Sequence, residues 1–90
     1  MEFEWDKKKA ASNEIKHGVS FQEAGTIFGD PLALTYNDPD HSINENRYIT
    51  FGISRLGKNL VVSHTERGDK TRIISARQMT KNERTIYEEG

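Results

Sequence analysis

The chain has no cysteine, which excludes disulfides and thiolate metal sites. It has no apolar run approaching the roughly 18 residues needed to span a bilayer. Its opening, MEFEWDKKKA, lacks the apolar stretch of a signal peptide. It has no internal repeat and no low-complexity tract. It contains no serine-nucleophile motif, P-loop, dinucleotide fingerprint or zinc spacing, so any enzyme chemistry here is expected to need neither cofactor nor metal. Nor does one sign of charge dominate: the net charge is −1. A nucleic-acid role would therefore need a local basic patch with the acids segregated elsewhere. These absences describe a soluble protein of the cytoplasm.

What is present fits one small domain over residues 1–90. Apolar residues make up 33% of the chain and charged residues 30%, and the apolar ones are periodic, as in a folded protein. MEFEWD alternates, which suits a short strand. Asp6 is placed to cap a helix through KKKAASNEIKH, with Gly18 just past its end. Lys16 and His17 sit in the last turn, where positive charge opposes the helix dipole. A second helix begins at VSFQEAGTIFGD, with Ser20 and Glu23 as a capping box and Val19 with Ala24 as a hydrophobic staple. Gly29, Asp30 and Pro31 stop it.

LALTY reads as a strand and NDPDHSINEN as a loop. RYITFGIS, NLVVSHTER and TRIISAR read as stronger strands, joined by tight turns at Gly57-Lys58 and Gly68-Asp69. Thr80 and Glu83 form a second capping box, opening a last helix through Tyr87. The predicted order is β-α-α-β-β-β-β-α. The fold class is α+β: an antiparallel sheet with the two N-terminal helices packed on one face, and a C-terminal helix.

The two turns set a register. Gly68-Asp69 places Arg67 opposite Lys70, Thr65 opposite Arg72 and His64 opposite Ile73. Gly57-Lys58 places Phe51 opposite His64. Alternation then puts Ile49, Phe51, Ile53, Leu60, Val62, His64 and Ile73 on a core face. The other face carries Tyr48, Thr50, Gly52, Ser54, Val61, Ser63, Thr65, Arg67, Arg72, Ile74 and Ala76. It is small, hydroxylated and basic, with room for a ligand and guanidinium groups suited to phosphate.

Arg72 is the leading candidate, either binding a phosphodiester or pairing with Glu66 or Asp69. Arg77 either clamps a phosphate or pairs with Glu83. His64 is an acid/base candidate by chemistry, but the register sends it to the core. Glu83 and Tyr87 share a helix face; each also has a structural role, as capping acid and as core cover. His41, Asp38 and Asp40 read as a solvated loop rather than a cation site. The run Lys7 to Lys9 reads as a solvated helix start, and Phe3 and Trp5 as core.

Three stretches, FEWDKKKAASNEIKHGVSF, EAGTIFGDP and HTERGDKTRIISARQMTKNERTIYEE, resemble the BrnT family of bacterial type II toxins, from Phe3 to Glu89. The resemblance implies a RelE-like ribonuclease fold and a toxin that blocks translation by cutting RNA. It implies a cognate BrnA-type antitoxin whose DNA-binding domain lets the complex repress its own operon. The matching polar positions are Lys16, His17, Arg47, His64, Arg67, Arg72, Arg77, Glu83, Arg84 and Tyr87. The expected assignment is charge stabilisation by Arg72 and Arg77, acid/base roles among His64, Glu83 and Tyr87, and RNA-backbone contacts from Arg47, Arg67, Lys81 and Arg84. The alternative is a non-catalytic module of the same fold that docks RNA or an acidic partner.

Overall fold

A computed structural model describes residues 1–38 and 46–89. Along the chain, strand β1 (Glu2–Glu4) is followed by helices α1 (Lys7–His17) and α2 (Phe21–Gly25). Helix α2 tightens into a 3-10 turn, Thr26–Gly29, and strands β2 (Leu34–Asn37), β3 (Arg47–Ile53), β4 (Asn59–Arg67) and β5 (Lys70–Gln78) follow. Helix α3 (Lys81–Glu89) closes the order. The strands form one sheet in the order β1-β5-β4-β3-β2. His41 and Asp40, and with them the supposed loop trio, lie outside the described residues.

Local chemistry explains the helix ends. The Asp6 carboxylate accepts from the Lys8 and Lys9 amides at 2.8 and 3.0 Å, and Gly18 adopts φ 70°, a left-handed conformation that glycine takes without a Cβ clash. At α3 the capping box is reciprocal: the Thr80 amide donates to Glu83 at 2.8 Å, and the Glu83 amide to the Thr80 hydroxyl at 3.2 Å. At α2 only half of the box forms. Ser20 accepts from the Glu23 amide at 3.0 Å, but the Glu23 carboxylate turns away to the Ser54 hydroxyl at 2.7 Å and to Lys58 at 3.7 Å.

Three sheet expectations need correction, the third at a β-bulge between β4 and β5. The sheet is mixed, not antiparallel, because β1 runs parallel to β5, with Phe3 beside Thr71 and Glu4 beside Arg72. A helical segment, not a tight turn, follows β1, so no hairpin dictated its direction. The second correction is the β3–β4 register. The connection is three residues, Arg55 to Gly57, closed by the Ser54 amide on the Lys58 carbonyl at 2.8 Å, with Gly57 at φ 84°. Phe51 therefore faces Val61, and Tyr48 faces His64. A shift of an odd number of residues exchanges the two faces of β3. Thr50 and Gly52 lie on the helix side, where a Cβ on Gly52 would meet the Ile27 Cβ at 3.0 Å. Ile49 and Phe51 lie on the opposite side.

That hairpin is held from outside. The Asp30 carboxylate accepts from the Ile53 amide at 2.9 Å, and the Thr26 hydroxyl accepts from the Arg55 amide at 2.8 Å. Glu23 receives the Ser54 hydroxyl, so three side chains of one helical segment grip residues 53–55. A sequence reading confined to the turn could not include them.

The β4–β5 hairpin follows the predicted register up to His64, opposite Ile73. There Ser63 pairs with Ser75, and Ile74 is an extra residue, a β-bulge. Past the bulge the parity of β5 reverses. Ala76, expected on the polar face, is fully buried in the core, and Arg77 comes to the same face as Arg72. Beyond Arg72 strand β5 has no β1 neighbour, and the Asn13 side chain takes that place. Its amide donates to the Ala76 carbonyl at 2.8 Å and its oxygen accepts from the Ala76 amide at 3.1 Å, a strand-like pairing made by one side chain.

The two faces carry different cores. Helices α1 and α2 and the 3-10 turn cover one, where Val19, Phe21 and Ile27 pack on Leu60, Val62 and Ile73. Helix α3 covers part of the other, with Met79 and Tyr87 against Val61, Ile49 and Phe51. The C-terminal helix thus lies across the sheet from the N-terminal pair. The Tyr87 hydroxyl donates to the Asp30 carboxylate, which also accepts the Leu32 amide at 2.9 Å.

Asp30→Ala is expected to lower unfolding stability by about 1–2 kcal/mol, chiefly by stranding the Tyr87 hydroxyl, because water replaces the carboxylate at the exposed Leu32 and Ile53 amides. Urea denaturation checks it. Burial would raise the Asp30 pKa, but the Tyr87 hydroxyl and the two amides outweigh it and bring it below the usual 3.8. Burial first, then Asp30, lifts Tyr87 from 10.0 to about 12. The stabilisation through Asp30 is therefore present above pH 3.8 and lost on acidification; that through Tyr87 is present below pH 10.0 and lost as pH rises towards 12. A Tyr87→Phe variant should lose the alkaline component, and an unchanged alkaline limb would refute the assignment.

Candidate nucleic-acid interface

Cross-strand partners share a face, so the register orders the side opposite α1 and α2 into rows. One row runs Arg47, Thr65, Arg72, Glu4; the next runs Ile49, Ser63, Ser75; the third runs Phe51, Val61, Arg77. Beyond the first lie Arg67, Lys70 and Glu2. Helix α3 roofs the apolar end, and Ser63 and Ser75 stay half-buried between the two arginine rows. The Arg72 and Arg77 rows are about 13 Å apart, at about 3.3 Å per residue along β4.

Both arginines are engaged. Arg72 donates to Glu4 at 2.8 Å, not to Glu66, which accepts the Thr71 hydroxyl at 3.1 Å. Arg77 makes a bidentate pair with Glu83, at 2.7 and 2.9 Å. The arginine, then the Thr80 amide, hold the Glu83 carboxyl down to about 2 against a smaller opposing effect of burial. The same pair raises Arg77 further above its ordinary value. Glu83 thus performs two tasks, capping α3 and neutralising the guanidinium beside it.

The other expected site residues fall into two groups. His64 is 4% exposed on the helix side, its Nε2 2.7 Å from the Thr50 hydroxyl, its ring edge-on to Phe28 and stacked on Tyr48. Burial lowers its pKa, against the opposing charge of Glu66, so the neutral ring is favoured. Tyr87 is 8% exposed and commits its hydroxyl to Asp30. Neither lies on the open rows. Arg47 lies on the first row, with its Nε and the neighbouring Thr65 buried; Arg67 lies exposed beyond that row, and Lys81 and Arg84 are exposed on α3. Lys16 and His17 lie elsewhere, along α1 at the β5 edge.

Sequence reading missed Glu4 as the partner of Arg72, because that contact depends on the parallel pairing of β1. It missed Asp30 and Asn13, whose partners are distant in the chain; Asn13, a buried polar residue within a helix, left no local trace of its role. Among the described residues no three His, Asp or Glu side chains gather in a way that could hold a metal, and no helix is long and apolar enough to cross a membrane.

Comparison with known proteins agrees with this architecture. The family model described as "Ribonuclease toxin, BrnT, of type II toxin-antitoxin system" matches residues 5–83. The 1.1 Å crystal structure of the Brucella abortus ribonuclease toxin BrnT superposes with a TM-score of 0.69 at 20% identity, covering 90% of this chain and 99% of that one. At that identity the superposition speaks for the fold alone. None of the curated proteins compared with the chain matches it.

Glu83→Gln retains a capping side chain and removes the charged pair. Because Arg77 is well solvated, the expected loss at neutral pH is only about 0.5–1 kcal/mol. The depressed carboxyl contributes stability that is present above pH 4.5 and lost as pH falls towards about 2. Denaturation of both proteins across that window should show the variant less sensitive to acid; parallel curves would disprove the linkage.

Proposed function

The chain belongs to the BrnT family of ribonuclease toxins of type II toxin-antitoxin systems, and we propose that it is a metal-independent endoribonuclease of RelE-like fold acting on the open sheet face. The observation that carries this reading is the placement of Arg72 and Arg77 on one face, either side of Ser63 and Ser75, with Arg47 and Arg67 on neighbouring strands. The ribose 2′-oxygen attacks the adjacent phosphorus, the bond to the 5′-oxygen breaks, and a 2′,3′-cyclic phosphate remains. Arg72 and Arg77 stabilise the charge that builds on the phosphoryl oxygens. To do so each exchanges a carboxylate partner for the phosphate. Once Arg77 turns to phosphate, Glu83 loses its main charge partner, its pKa rises, and it becomes a better base for the 2′ proton. His64 and Tyr87 have structural rather than chemical roles in this scheme, and water protonates the departing 5′-oxygen. Arg47, Arg67, Lys81 and Arg84 hold the backbone.

In the cell this activity inhibits translation. The cognate antitoxin restrains it by covering the open face beside α3, and the antitoxin's DNA-binding domain lets the complex repress its own operon. One observation favours the rival reading, a binding module without catalysis: both arginines already have carboxylate partners, as structural arginines would.

Cleavage of a labelled RNA in EDTA separates the two. Wild type is expected to cut RNA, leave the same sequence of DNA intact for want of a 2′-OH, and form a cyclic phosphate end. Arg72→Ala should cut at least about 100-fold more slowly. An equal rate in the variant removes Arg72 from the mechanism. Binding without cutting by wild type, with or without translating ribosomes, supports the non-catalytic module.

A further inference from the structure

A second basic feature lies outside the rows described above. Helix α1 and the uncovered edge of β5 border a shallow, open groove of about 350 Å³, with Lys8, Lys9, Ser12, Asn13, Lys16 and His17 on one side and Ile74 and Ser75 on the other. Among the described residues no carboxylate lines it. Lys8, Ser12 and Lys16 recur every four residues and form one stripe that spans about 12 Å at 1.5 Å per residue. Among the described residues, none of Lys8, Lys9 and Lys16 forms a side-chain ion pair, and the charge of Lys9 acts on the capping Asp6. These cations differ from Arg72 and Arg77, whose partners are already in place.

The cleft exists because β1 stops at Arg72. Asn13 fastens α1 to the exposed edge at Ala76, and the bulge at Ile74 shapes the strand beside it. Ser75 belongs to both surfaces: it pairs with Ser63 in the middle row and also lines the cleft. The basic cleft is therefore continuous with the open face.

We propose that this cleft is a second contact site for single-stranded RNA, gripping backbone phosphates to one side of the nucleotide bound on the sheet. The proposal rests on the ribonuclease reading for what the sheet face does, but the cleft's own chemistry is independent of cleavage. Hydroxyl and ammonium groups without carboxylates suit a polyanionic backbone, and a groove that tracks a strand needs nothing more. An acidic polypeptide is the weaker fit, since stable protein interfaces rely on buried aromatic or aliphatic anchors and, among the described residues, Ile74 is the one apolar side chain lining this cleft.

The test is binding of a labelled, fully 2′-O-methylated single-stranded RNA, which cannot undergo 2′-oxygen attack, to the whole chain at several salt concentrations. The proteins are wild type, a Lys8→Ala, Lys9→Ala, Lys16→Ala variant, and the corresponding triple arginine variant; all three lysines are exposed, and circular dichroism verifies folding. The alanine variant should bind more weakly, and its slope of log affinity against log salt should flatten by about 2, from three lost contacts at roughly 0.7 each. The arginine variant should restore both. Unchanged affinity and slope in the alanine variant overturn the proposal and leave the cleft to an acidic polypeptide. A parallel assay on unmodified RNA keeps the two readings apart. Lysine-dependent binding by a protein that cuts nothing upholds the cleft and sinks the ribonuclease. Cleavage with lysine-independent binding does the reverse.

Discussion

The Asp30 carboxylate is the point at which the two faces of the sheet are tied together. One oxygen takes the Leu32 amide and turns the chain out of the 3-10 segment; the other takes the Ile53 amide of β3 and the Tyr87 hydroxyl of α3. The first bond orients the carboxylate, the second fixes where β3 ends, and the third lands α3 on the far side. Moving β3 by one residue would exchange its inner and outer side chains. Thr50 would leave His64, and Phe51 would leave the core under α3. A single charged acceptor thereby sets the register on which both cores depend.

The arginine-bearing face has a comparable origin in one irregularity. Arg72 and Arg77 are five positions apart, an odd separation that in a regular strand would put them on opposite sides. The extra residue Ile74 reverses the parity between them. Asn13 holds the strand just after the bulge by satisfying both backbone groups of Ala76. The same interaction buries Ala76 under the helices and so presents Arg77 outward. Helix packing on one face and the arrangement of guanidinium groups on the other are consequences of one local departure from regularity.

Much of the fold was legible in the sequence because its signals are local. The caps at Asp6, Gly18 and Thr80, the two-residue turn at Gly68-Asp69 and the alternating strands need only near neighbours, and they gave the element order and the β4–β5 register as far as His64. What was not legible depended on distant partners. Gly57 suits a two-residue or a three-residue turn, and Glu23, Thr26 and Asp30 select the longer one from more than twenty residues away. The direction of β1 is set by packing of Phe3 and by the pair Glu4–Arg72, not by a turn. Of the candidate site, the arginines were found by type, and their common face was found only through the bulge. His64 matched the family pattern, and the alternation of β4 alone sufficed to send it to the core.

The carboxylates beside Arg72 and Arg77 bear on how an arginine-bearing face exists in a chain of net charge −1. Glu4 and Glu83 each neutralise one guanidinium group and fasten β1 and α3 to β5. On the proposed reading the arrangement makes nonspecific binding weak, because a phosphate must displace a carboxylate that already has good geometry. It also concentrates the benefit of displacement at one step. Ground-state contacts that merely replace one anion by another contribute little net energy, whereas a phosphoryl group gathering negative charge in the transition state outcompetes a carboxylate whose charge is fixed. On the proposed reading, the ion pairs that stabilise the resting fold bias the arginines toward the transition state over the bound substrate, which is the difference that accelerates a reaction.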